Sequence, residues 1–242
     1  SQPRLGRSLW IAFKNRPFVF GMVLFLLTWV AVEIVQATLL FFIKYVVQRE
    51  AENELIMAVI FVTALLTLPF WQWASRRWNK RRAYVGGIAF WAVVQIALIS
   101  LNPATGLNIL LVLCVLAGIG VAAAHVLPWA ILPDTVEWGE WQSGERNEGM
   151  LYSLVTLIRK VATSLAVPMV GVLLEFTGYV PNVAQQADSA LLGIRIAIGP
   201  IPAVLLVAGI LFAILFPLGR EEHTRLVAEL EERRAQIGKE SS

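Results

Sequence analysis

Six long stretches of this 242-residue chain are almost free of charge, and that pattern limits what the chain can fold into. About 20 consecutive apolar residues are needed to cross a bilayer core as a helix. Inside that core only helices and closed barrels satisfy their own backbone groups. The residues are 57% hydrophobic and 15% charged, whereas a soluble domain is nearer half apolar and a quarter charged. The expected fold class is therefore an all-α transmembrane six-helix bundle, with the lipid bilayer as its first partner.

The expected spans are residues 18–47, 55–74, 83–101, 107–132, 150–176 and 191–218. Residues 1–17 form a basic lead-in, and 219–242 an amphipathic tail with Leu226, Val227, Leu230 and Ile237 as a modest apolar stripe. Lys80 and Arg76, Arg77, Arg81 and Arg82 sit between spans two and three, while Lys44, Arg49 and Arg195 fall on the opposite side. The positive-inside rule then places both chain ends in the cytoplasm, in a cell (inner or plasma) membrane. The net charge of +3 and pI of 9.2 do not point to nucleic acid, because the cations flank apolar runs instead of forming a patch with interleaved aromatics. Cys114 stands alone and cannot form an internal disulfide. The chain opens on Ser1 without a signal-peptide pattern, and a longer parent polypeptide is expected.

The stretch from Leu132 to Lys160 is where chemistry concentrates. Its first part, read as a loop, carries Asp134, Glu137, Glu140, Glu145, Arg146 and Glu148, which suit a salt-bridge gate that holds one conformation and breaks in another. Its second part enters span five with Glu148, Tyr152, Thr156 and Lys160 at a spacing of four, along one side of a helix. An intramembrane lysine is costly and marks a functional site by default. Together with Tyr152 and Thr156 it makes a polar face for a polar substrate; the bland alternative is a structural lysine paired with Glu33. Arg159 lies about 100° round the helix from Lys160 and is the alternative inward cation, with Lys160 favoured for its polar company. Glu33 and Gln36 in span one, and His125 and Trp129 in span four, are further candidates to line a cavity, with interhelical hydrogen bonding and packing as their ordinary roles. No phosphate loop, HExxH, GxSxG or metal-ligand cluster occurs, so neither an enzyme nor a bound metal is expected.

The segment PDTVEWGEWQSGERNEGMLYSLVTLIRK, followed by FTGYVPN and a basic tail, resembles the glycoside–pentoside–hexuronide:cation symporter family. The resemblance covers essentially the whole chain, and it is to the C-terminal half of that family's twelve-helix major facilitator fold. It implies that Lys160 occupies the position of a span-eleven lysine used in sugar binding and cation coupling, and Thr156 that of a sugar-contacting threonine. It also implies that Asp134, Glu137 and Arg146 belong to a cytoplasmic charge network. Two departures, His125 in place of a cavity tryptophan and Val155 in place of a glutamine, point away from melibiose as the sugar. The resemblance further implies a coupling cation, Na+ or H+, held mostly by an N-terminal six-helix half in cis or in trans.

The function expected from these readings is one half of a cation-coupled sugar or glycoside symporter working by alternating access. The alternatives are a lipid or lysolipid transporter on the same scaffold, and a non-transporting half-transporter that assembles with a partner.

Overall fold

The computed structural model describes residues 15–143, 148–216 and 224–230, and among these no strand occurs. The chain runs through α1 (Arg16–Phe41), α2 (Asn53–Arg77), α3 (Lys80–Leu98), α4 (Leu107–Ser143), α5 (Glu148–Phe176), α6 (Asp188–Ile198) and α7 (Pro200–Ile214). Among the described residues five stretches are long and apolar enough to cross a membrane. The third sequence span, α3, begins with Lys80, Arg81 and Arg82 and is the more polar exception.

Local chemistry sets the helix ends. Asn15 caps α1 by accepting from the Phe18 amide at 3.0 Å, with Pro17 where a missing N–H costs nothing. The α1 helix continues as a π-helical turn over Phe42–Val47 and stops at Gln48, whose φ of 57° is left-handed. Asn79 caps α3 by accepting from the Arg81 amide at 3.0 Å.

Two ends differ from the sequence expectation. The charged stretch beyond Leu132 is helix, not loop: α4 continues through Pro128 and Pro133 to Ser143. Each proline leaves the carbonyl four residues back, Ala124 O or Trp129 O, without its helical amide partner, a cost that membrane helices tolerate. Just beyond, Thr135 Oγ1 donates to Leu132 O at 2.6 Å, and Asn15 Nδ2 donates to Thr135 O at 3.0 Å. The sixth span, by contrast, is broken at Gly199 into α6 and α7. Pro202 lacks the N–H that would bond Ile198 O, and Gln95 Nε2 of α3 supplies that bond at 2.8 Å. Gly199 is needed because a Cβ there would come within 2.6 Å of the Ile99 side chain.

The α1 helix is apolar on all sides, the pattern of a helix buried all round, and it packs against α4, α5, α6 and α7. Opposite it, α4 packs against α1, α2 and α3, and α3 also packs on α7. Trp91 of α3 is fully buried with its indole pressed onto Gly120 of α4. A Cβ on Gly120 would come within 2.2 Å of Trp91 Cδ1, and close-packed interiors do not absorb such an atom. Gly120→Ala should therefore destabilise the protein by about 1–3 kcal/mol, read as a lowered melting temperature in detergent. Gly86→Ala, with open space beside it, should leave that temperature unchanged or slightly raised.

Candidate functional site

Where α1 meets α4 and α5, a spacing of four aligns Phe25, Trp29 and Glu33 on one side of α1. The Phe25 and Trp29 rings stack with centroids 5.8 Å apart, and Trp29 Nε1 donates to Glu33 Oε1 at 2.9 Å. From α5, Thr163 Oγ1 donates to the same carboxylate oxygen at 2.8 Å, and the Arg159 guanidinium lies 5.0 Å over the Trp29 ring. From α4, the His125 ring meets Trp29 edge-on at 5.5 Å, and Trp129 meets Phe25 edge-on at 4.9 Å. His125 Nδ1–H donates to Val121 O at 2.8 Å; a carbonyl only accepts, so the proton is on Nδ1. Glu33, Trp29, Arg159, Thr163 and His125 thus form one polar cluster on an aromatic floor, supported below by Phe18, Met22, Leu132 and Val155.

The structure distributes the sequence candidates unevenly. Glu33, His125 and Trp129 enter this cluster or its floor. Tyr152 packs at the edge of the supporting apolar group. Thr156 and Lys160 lie exposed along α5, and Thr156 Oγ1 donates to Tyr152 O of its own helix at 2.9 Å. Glu33 is held by Trp29 and Thr163, not by the lysine pairing weighed from the sequence. Gln36 is exposed at the mouth of a separate apolar cavity. Thr163 was not among the candidates, although its spacing of four from Arg159 is the signal that singled out the neighbouring stripe.

At the other end of α4, Asp134 forms an ion pair with Lys80 at the start of α3, a member of the basic cluster between spans two and three. Glu137 follows half-buried on the same helix. Arg146 and Glu145 lie outside the described residues, as does the side chain of Glu148. Trp141 Nε1 donates to Glu229 Oε2 at 2.8 Å, fastening the end of α4 to the helical segment 224–230, where Leu226 and Leu230 are buried. On the opposite side Arg49 binds Glu52 at 3.3 Å and Thr105 O at 3.1 Å, and Arg195 donates to the carbonyls of Ile99 and Leu101. In the turn after α5, burial and the Tyr45 hydroxyl 3.4 Å away push the Tyr179 phenol up to about 12. Among the described residues no group of three or more His, Cys, Asp or Glu is placed to hold a metal ion.

This arrangement, charge and hydroxyls gathered between membrane-length helices, is suited to binding a solute. Comparison with known proteins points the same way. The family model described as MFS/sugar transport protein matches residues 1–220. An uncharacterized symporter of Synechocystis is 33% identical over 235 residues, covering 95% of this chain and 43% of that protein. A putative sulfoquinovose importer of Salmonella typhimurium is 31% identical, covering 96% of this chain and 49% of that protein. A sodium-dependent lysophosphatidylcholine symporter of Danio rerio is 29% identical, covering 89% of this chain and 40% of that protein. The chain spans less than half the length of these relatives, which are transporters and not enzymes. It belongs to the MFS/sugar transport protein family and is a multi-pass membrane protein.

Proposed function

We propose that this chain is the C-terminal six-helix half of a secondary active transporter that couples Na+ or H+ to symport of a sugar or glycoside by alternating access. The observation that carries the reading is the Glu33–Trp29–Arg159–Thr163 cluster. An acid, a cation and a hydroxyl on an aromatic platform, set between spans, suit a polyhydroxylated solute, whose hydroxyls both donate and accept and whose ring face stacks on indole. Lys160 and Thr156, exposed on α5, complete the site toward an N-terminal half supplied in cis or in trans, which holds most ligands of the coupling cation. Support for that missing face comes from α2 and α5, which bury the smallest shares of their apolar windows. Both ends of the chain lie in the cytoplasm of a cell membrane, as the distribution of cations favours.

Asp134 and Lys80 belong to the inner gate in this reading. In the full-length protein, Lys80→Asp should slow uptake severalfold, and combining it with Asp134→Lys should restore part of the rate. A double variant no better than the single would count against a pairwise role.

A second reading, lysolipid transport, is favoured by the same floor. The Phe25, Trp29 and His125 rings beside both Glu33 and Arg159 suit a zwitterionic head group, and the Danio rerio relative bears such a substrate in its name. Competition separates the two. Saturable glycoside uptake blocked by other glycosides and not by lysophosphatidylcholine is the expected result; the reverse pattern would transfer the site to lipids.

A further inference from the structure

A cavity of about 300 Å³ lies between α1, α2, α3 and α4, apart from the Trp29 cluster, and is walled mainly by apolar side chains such as Val32, Leu39, Ile60, Leu98, Cys114 and Ala117. It reaches the surface past exposed Met57 and Phe61. Its volume is at the lower end of small-molecule sites, roughly 300–1,000 Å³, and is about ten times the ~30 Å³ of one water. One wall belongs to α3, which contributes Trp91 and Gln95, both 0% exposed. They are four residues apart and so share a helix face.

Each leaves a buried polar atom without a partner: Trp91 Nε1, a donor, and Gln95 Oε1, an acceptor. The Gln95 amide cannot turn over to change this, because its Nε2 is committed to Ile198 O at the α6–α7 break. An apolar cavity of this size does not fill with water along its length, since each water needs two to four polar partners and the walls beyond Trp91 and Gln95 supply few. A hydroxyl carries both matching groups, an oxygen that accepts from an indole N–H and a hydrogen for an amide oxygen.

We propose that this cavity binds a neutral single-chain amphiphile, with a hydroxyl head between Trp91 and Gln95 and an alkyl chain running along the apolar walls toward Met57 and Phe61. The site is independent of the solute site and of its substrate.

The test uses the full-length protein in phosphatidylcholine nanodiscs and a diazirine-bearing 1-dodecanol, with adducts mapped by peptide mass spectrometry. Saturable adducts on the peptides carrying Met57 and Cys114 are expected, competed at least tenfold better by 1-decanol than by decane. Trp91→Phe keeps the core ring and removes the N–H, and should erase that preference for the alcohol. Cys114→Leu, which fills the cavity, should reduce labelling severalfold while circular dichroism stays unchanged. Labelling that does not saturate, decane competing as well as decanol, or a Trp91→Phe protein that still prefers the alcohol would overturn the proposal. So would the absence of any adduct in the cavity, which would leave a bridging water as the only occupant.

Discussion

Glu33→Ala in the full-length transporter should lower substrate uptake roughly tenfold to a hundredfold with little change in the amount of protein in the membrane. Glu33 Oε1 takes hydrogen bonds from Trp29 of α1 and Thr163 of α5, and bonds to a charged group contribute about 1.5–3 kcal/mol each. Losing the carboxylate unties the indole on which Arg159 rests and strips the only acid from the cluster. At about 1.4 kcal/mol per tenfold, one such bond accounts for the smaller figure and two for the larger. Glu33→Gln keeps an acceptor oxygen without the charge and should fall between. Radiolabelled uptake normalised to surface-labelled protein measures all three. Uptake unchanged in Glu33→Ala would place the solute elsewhere.

The second large effect is expected at the cations of α5. Lys160 is exposed on a membrane-spanning helix, a position tolerated when the charge faces a water-filled cavity or a partner helix. Lys160→Ala should reduce accumulation more than tenfold, and Lys160→Arg should retain a measurable part. Arg159→Lys is the informative contrast, because a lysine ammonium keeps the charge but not the planar stacking of guanidinium on indole. It should raise the half-saturating substrate concentration severalfold while sparing maximal rate. Equal loss of rate in both lysine and arginine variants, with binding unchanged, would assign the two cations to coupling and not to solute contact.

The all-α membrane character was legible in the sequence because a bilayer leaves the backbone few options, and long charge-free runs declare themselves. The continuation of α4 was not. Pro128 suggests only a bend and the charged stretch beyond Leu132 reads as a loop, while the Thr135 hydroxyl and Asn15 amide bonded to that part of the helix come partly from 120 residues away. The break at Gly199 depends in the same way on Gln95 of α3, a partner no local pattern reveals. Within the site, Glu33 and His125 stood out as polar residues in oily runs. The inward cation did not, since Arg159 and Lys160 are adjacent and only the packing of α5 on α1 decides which one meets Trp29. A helix as uniformly apolar as α1 has no periodicity to show which face is buried, so the Phe25–Trp29–Glu33 row was only half seen.

The measurement that tests the central claim most directly is solute accumulation in proteoliposomes carrying the full-length protein, with an inward Na+ or H+ gradient imposed or omitted. The account predicts saturable glycoside uptake that rises above its equilibrium level with one of the two gradients, collapses when that gradient is dissipated, and is lost in Lys160→Ala. Glycoside movement indifferent to both gradients, or accumulation of lysolipid with no glycoside moved at all, would contradict it.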